Sequence, residues 1–294
     1  MTGLRPAESG RGADLQHAAF ALPSADGYPL RGDVRYAETT AAGAPAVIVC
    51  HGYKGFKDWG FFPEVASELA RAGWIAVTFN FAGSGIGPDL LNFTDPERFE
   101  RATLSGDLDD LARVVDAVLG GVLPGPRTGN RLGLLGHSRG GAVALLAAAR
   151  DPRVACLVTW AAVAHFDRWD EATRRTWRER GVLEVANART RQVFRVTTAV
   201  LDDIEAHRAG RLDLTRAAGA VKAPYLIVHG DADESVSIAE GRLLAAWGRG
   251  ELRVIPGAGH TFGAVHPFAG RTPHLEAALA ATGDFFRRHL PAPG

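Results

Sequence analysis

Gly136-His137-Ser138-Arg139-Gly140 sets a serine midway between two glycines. Ahead of it Arg131-Leu132-Gly133-Leu134-Leu135 is a short apolar run, and behind it Gly141 to Ala149 is rich in alanine and leucine with helical character. The order is strand, tight turn, helix. A serine at the apex of such a turn is pressed into a sparsely populated backbone conformation that pushes its hydroxyl clear of the sheet, while the flanking glycines let the chain fold back. Ser138 is therefore the candidate nucleophile. A chain with 35 glycines produces this pentapeptide by chance, so the assignment needs a base, an acid and an oxyanion site elsewhere.

The base is sought on a flexible turn. Pro256-Gly257-Ala258-Gly259-His260 follows the apolar run Glu251 to Ile255 and presents a histidine, with His266 close behind as the competitor. A carboxylate must orient that histidine and stabilise its cation. Asp231, Asp233 and Glu234 all follow the run Ala223 to Val228 and its His229-Gly230 end. Asp233 is preferred because it lies three residues past Gly230, far enough to turn over the sheet edge. One helix and one strand then separate it from His260 and return the chain to the same end of the sheet. For the charge that develops on a carbonyl oxygen, His51-Gly52-Tyr53-Lys54-Gly55 follows another apolar run, Pro45 to Cys50. The expected donors are the backbone N–H groups of Tyr53 and Arg139.

These loops need a sheet behind them. Ala18 to Leu22 and Tyr28 to Tyr36, parted by Ser24-Ala25-Asp26-Gly27, predict an antiparallel hairpin at a sheet edge. The runs at 45–50, 74–80, 131–135, 154–160, 223–228 and 251–255 read as parallel strands buried on both faces. Helical periodicity at 63–72, 105–119 and 272–290 supplies their cover. Between 161 and 220 the pattern changes to charged helical segments without strand signal. Arg168, Arg174, Arg175, Arg178, Arg189, Arg191 and Arg195 are interleaved there with Phe166, Trp169, Trp177 and Phe194. This predicts a helical cap whose arginines face solvent. Residues 18–160 and 221–290 are expected to form the core, and 1–17 a disordered tail. Lys54, Lys57 and Asp58 are expected as solvated loop charges. The loop 81–87 is expected as a wall of the cleft, since its glycines miss the dinucleotide spacing.

Composition removes other classes. Lys plus Arg and Asp plus Glu are 33 each, so no overall field recruits nucleic acid or an anionic membrane. No apolar run has the length of a membrane span or signal core, which leads us to expect a cytoplasmic protein. Cys50 and Cys156 lie inside apolar runs and are expected as buried reduced thiols. There is no His/Cys cluster at metal-ligand spacing, and no cofactor is expected.

Together the HG-x loop at 51–53, the G-H-S-x-G-G elbow at 136–141, the H-G-x-x-D segment at 229–233 and the G-A-G-H-T-F loop at 257–262 resemble the α/β-hydrolase superfamily. Within it the chain is most similar to the esterase, dienelactone-hydrolase-like and prolyl-oligopeptidase-like group. The resemblance spans residues 28–290. It implies an α/β-hydrolase fold: a mostly parallel central sheet flanked by helices, with a cap insertion. It further implies Ser138, His260 and Asp233 as a triad acting on small-molecule esters. There are two departures, the second of which argues against a peptidase. Ser138 stands where dienelactone hydrolases proper carry a cysteine, and the amino-terminal propeller of the oligopeptidase relatives has no counterpart here. Acyl transfer, small aminoacyl peptides and a non-catalytic binding role remain the alternatives.

Overall fold

A computed structural model describes residues 14–186 and 192–292. Five largely apolar runs form strands buried at every position: β3 (Ala46–Cys50), β4 (Ile75–Phe79), β5 (Leu132–His137), β6 (Val154–Trp160) and β9 (Tyr225–Gly230). Burial of both faces is what parallel pairing beneath two helical layers produces. At the margins the pattern loosens. The edge strand β1 (Leu15–Pro23) alternates in exposure and pairs antiparallel with β2 (Pro29–Ala37), while β10 (Glu251–Ile255) closes the other edge. The sheet has eight strands in the order β1-β2-β4-β3-β5-β6-β9-β10. Leu15, Gln16 and His17 belong to β1, not to a disordered tail; residues 1–13 lie outside the described residues.

Helices α1 (Phe62–Arg71) and α9 (Pro273–His289) pack together, and α9 presses Leu275, Leu279 and Phe286 into the core. The opposite layer is a contiguous row: α3 (Leu104–Leu119), α4 (Arg139–Ala148), α7 (Leu214–Ala220) and α8 (Ile238–Trp247). Buried indoles meet their polar needs locally, Trp74 Nε1 donating to the Leu290 carbonyl and Trp160 Nε1 to Thr282 Oγ1. Cys50 and Cys156 are free and buried, and desolvation pushes both thiols up, Cys156 to about 12.

Between β6 and α7 the chain forms α5 (Glu171–Arg180), a two-stranded antiparallel sheet of β7 (Val182–Ala186) and β8 (Val193–Thr197), and α6 (Ala199–His207). The expectation of helix alone was incorrect here. Val193-Phe194-Arg195-Val196 alternates exposed, buried, exposed, buried, which is a period-two signal hidden by the surrounding arginines. Arg168 pairs with Glu240, Arg174 with Asp167, and Arg178 with Asp202 and Glu205. Arg189 and Arg191 lie outside the described residues.

A second correction concerns Lys57. It is 4 % exposed, and its ammonium meets both Asp33 on β2 and Asp58. Its backbone N–H donates to Asn80 Oδ1. Burial pushes the Asp33 carboxyl up, but the Lys57 ammonium, bonding to it directly, outweighs this and holds it below its ordinary value. The loop after β3 is thus pinned to the sheet by a buried ion pair.

Candidate active site

The elbow is built as the motif requires. Ser138 follows β5 directly and caps α4 with φ +56° and ψ −122°, a conformation that L-residues rarely adopt. Its N–H donates to the Trp160 carbonyl on the neighbouring strand β6. The glycines are needed for close approach. A Cβ on Gly140 would stand 2.3 Å from the His51 carbonyl oxygen, and one on Gly136 would stand 2.4 Å from the Gly140 oxygen. Chain and nucleophile are therefore packed against the end of β3.

Parallel pairing of β9 with β10, Gly230 opposite Ile255, delivers the other two loops to the same end of the sheet. The Ala232 N–H donates to the Ala258 carbonyl and ties them together. His260 Nδ1 lies 2.8 Å from Asp233 Oδ2, and His260 Nε2 lies 3.1 Å from Ser138 Oγ. A carboxylate accepts only, so Nδ1 carries the proton and Nε2 is left to accept from the serine hydroxyl. Asp233 is buried. Burial pushes its carboxyl up, yet hydrogen bonds from His229, His260 and the Val236 N–H outweigh that and hold it well below the usual carboxylate range. It is ionised at neutral pH.

The competing candidates sit elsewhere. Asp231 is exposed and accepts from the Gly257 N–H at 2.6 Å, and Glu234 is exposed. His266 accepts from the Gly60 N–H through Nδ1 and packs on Phe56 and Trp59.

Sequence reasoning missed three buried histidines that frame this trio. His137 Nε2–H donates to the His260 carbonyl at 2.9 Å, and burial pushes its pKa down to about 3. His51 donates through Nδ1 to the Gly52 carbonyl and accepts the Phe81 N–H at Nε2; burial lowers its pKa to about 4. His229 Nε2–H donates to the Val236 carbonyl, 3.5 Å from Asp233 Oδ2. Their signal in the sequence is position: each ends, or directly follows, a buried strand. Also unforeseen is the side chain of Arg139, which meets Asp107 on α3 at 3.0 Å and lies over the Tyr53 ring.

A cavity of about 750 Å³ opens above Ser138. Its floor holds Gly52, Tyr53, Ser138, Arg139 and His260, and the segment after β6 contributes Phe166, Trp169, Val196, Val200 and Ile204. Phe99, Ala102 and Leu104 line a further stretch of the wall, and none of residues 81–87 does; Gly85 in that loop instead backs onto Phe99. Among the described residues no group of three or more His, Cys, Asp or Glu side chains is arranged to hold a metal ion, and no helix is long and apolar enough to cross a membrane.

The chain belongs to the Alpha/beta hydrolase family, whose model matches residues 47–270. It is similar to 2,6-dihydropseudooxynicotine hydrolase of Paenarthrobacter nicotinovorans, 27% identical over 71% of this chain and 49% of that one. It is also similar to an uncharacterized 31.7 kDa protein of Escherichia coli, 31% identical over 42% of this chain and 39% of that one. The chain thus spans half or less of the length of these curated relatives. Among solved structures, Est1E from Butyrivibrio proteoclasticus with ferulic acid bound superposes with a TM-score of 0.69 at 20% identity, covering 92% of this chain and 99% of that one. The alpha/beta hydrolase GrgF from a Penicillium species superposes with a TM-score of 0.69 at 19% identity over 94% and 99%. At such identities the likeness is one of fold. Family and fold together place this chain on the α/β-hydrolase scaffold.

Proposed function

We propose that this chain hydrolyses carboxylic esters through an acyl-enzyme on Ser138. The observation that carries the reading is the continuous relay from Ser138 Oγ to His260 Nε2 at 3.1 Å and from His260 Nδ1 to Asp233 Oδ2 at 2.8 Å. His260 takes the hydroxyl proton as Ser138 attacks the ester carbonyl, and ionised Asp233 stabilises the imidazolium that forms. The oxyanion is received by the N–H groups of Tyr53 and Arg139, neither of which donates to another described residue. Arg139 heads α4, so the helix dipole adds to its amide. The alcohol leaves with the His260 proton, water replaces it in the cavity, and the same histidine activates that water against the acyl-enzyme. The residues supply every group this chemistry requires without a cofactor.

The cavity wall is largely apolar and aromatic, with Lys54, Arg139 and Arg168 among its polar positions, which suits a mainly apolar organic ester as substrate. Esters of graded acyl length, assayed on the wild type and on Ser138→Ala, test the reading. Loss of turnover by several orders of magnitude in the variant supports it, and ester hydrolysis that Ser138→Ala leaves intact overturns it.

A further inference from the structure

The two amides assigned to the oxyanion site come from separate loops, one after β3 and one at the start of α4. The β3–β5 ladder ends at Cys50 opposite Gly136, three residues before Tyr53 and Arg139 respectively. Their side chains touch instead. The Arg139 guanidinium lies 4.8 Å from the centre of the Tyr53 ring, and that ring also stacks on Phe99 at 5.2 Å and 28°. Arg139 Nη2 is held 3.0 Å from Asp107 Oδ2. Asp107 is 2 % exposed in the first turn of α3, where the Thr103 side chain caps the helix and Asp203 accepts the Ser105 N–H. A cation that lies over an aromatic ring and ion-pairs with a buried carboxylate has a preferred position, because the carboxylate finds no water to replace it if the guanidinium moves away.

We propose that Asp107 is a positioning residue: through Arg139 it clamps the side chains of the two oxyanion donors together and so sets the distance between their backbone amides. The inference rests on the acyl-enzyme reading above. A clamp of this kind matters only once charge develops on the carbonyl oxygen, and misplacement by a fraction of an ångström weakens the transition state without touching ground-state binding. Asp107 never meets the substrate. The Arg139 charge in turn keeps the buried carboxylate from opposing the oxyanion field.

The test is steady-state hydrolysis of an activated ester by the full chain as wild type, Asp107→Asn, Arg139→Met and the double variant, beside the inhibition constant of a trifluoromethyl ketone. That ketone forms a hemiketal oxyanion on Ser138 and so reports on the oxyanion site. The expected result is a kcat lowered roughly 10- to 100-fold in either single variant with KM within about twofold of wild type. Ketone affinity should fall by the same factor as kcat/KM, and the double variant should be no worse than the weaker single, since the residues act as one unit. Arg139→Met covers the case in which Asp107→Asn fails to fold, because it leaves a carboxyl that can take up a proton instead of an unpaired buried cation. A KM increase with kcat retained, a kcat unchanged or raised, or effects that multiply in the double variant would overturn the clamp. If Ser138→Ala abolishes turnover while both single variants match wild type, only the clamp fails. If Ser138→Ala leaves turnover intact, the hydrolase reading fails with it.

Discussion

The Nε2–H of His137 donates to the backbone carbonyl of His260 at 2.9 Å, so the residue before the candidate nucleophile holds the loop that carries the candidate base. His137 is packed between Phe61, Phe62 and the His260 ring. With its pKa pushed down to about 3 by burial it stays neutral across the physiological range. His137→Leu fills the apolar site but leaves the His260 carbonyl without its donor. We expect a loss of about 1–3 kcal/mol in urea unfolding and a fall of at least about tenfold in ester turnover. Full activity in that variant would show that the loop is held by other contacts.

Two aspartates near the end of β9 should separate cleanly. Asp233 accepts from His260, Ser235 and Val236, whereas Asp231 is exposed and accepts from the Gly257 N–H. Asp233→Asn should lower kcat by up to about 10⁴-fold, since an amide no longer enforces the Nδ1–H tautomer. Asp231→Asn should stay within a few-fold of wild type. Parallel kcat measurements give the ranking, and the reverse order would move the acid to Asp231.

The buried Lys57 pair was not legible in the sequence, and its energetics can be tested by substitution. Lys57→Met removes the ammonium and leaves Asp33 buried without its strongest partner. The expected cost is about 3–5 kcal/mol, measured as a lower urea midpoint. Replacing Asp33 with Leu in the same chain should recover part of it, because neither charge is then stranded.

What the sequence made legible follows from what kind of constraint each element obeys. The buried strands β3, β4, β5, β6 and β9 were readable because a strand covered on both faces must be mostly apolar, its few polar side chains being hydrogen-bonded. Ser138 and Asp233 were readable because each follows such a strand within a few residues, and His260 because it follows the edge strand β10, each on a turn made of glycine or small residues. The burial of Lys57 was not, because it depends on a partner remote in sequence, and the β7–β8 hairpin was not, because arginines mask its period-two signal. Phe194 is apolar in order to meet Phe93 and Phe99, and Lys57 is tolerated only because Asp33 arrives from β2. The same remoteness hid His137, whose Nε2–H reaches the His260 carbonyl; His51 and His229 donate to carbonyls close by in the chain, and only their places at strand ends marked them.

Asp110 offers a pH-dependent test. It is 4 % exposed and accepts the Ala82 N–H, and burial, reinforced by Asp107, pushes its carboxyl up to about 7. An aspartate in the unfolded chain ionises near 3.8. Between those values the folded state binds more protons than the unfolded state, so the stability this group contributes is present below about pH 4 and is lost as pH rises toward 7. Asp110→Asn keeps an acceptor for Ala82 but removes the ionisation. Its melting temperature relative to wild type should therefore rise from pH 5 to pH 8. A difference that does not change with pH would mean that the carboxyl ionises freely in the folded protein.

The central claim, that Ser138 is the nucleophile of a serine hydrolase, is most directly tested by treating the intact protein with a fluorophosphonate and locating the adduct by peptide mass spectrometry. The account predicts one adduct, on the peptide containing Ser138, absent in Ser138→Ala and strongly slowed in Asp233→Asn. A folded wild-type protein that takes up no adduct, or takes it up at a residue other than Ser138, would contradict it.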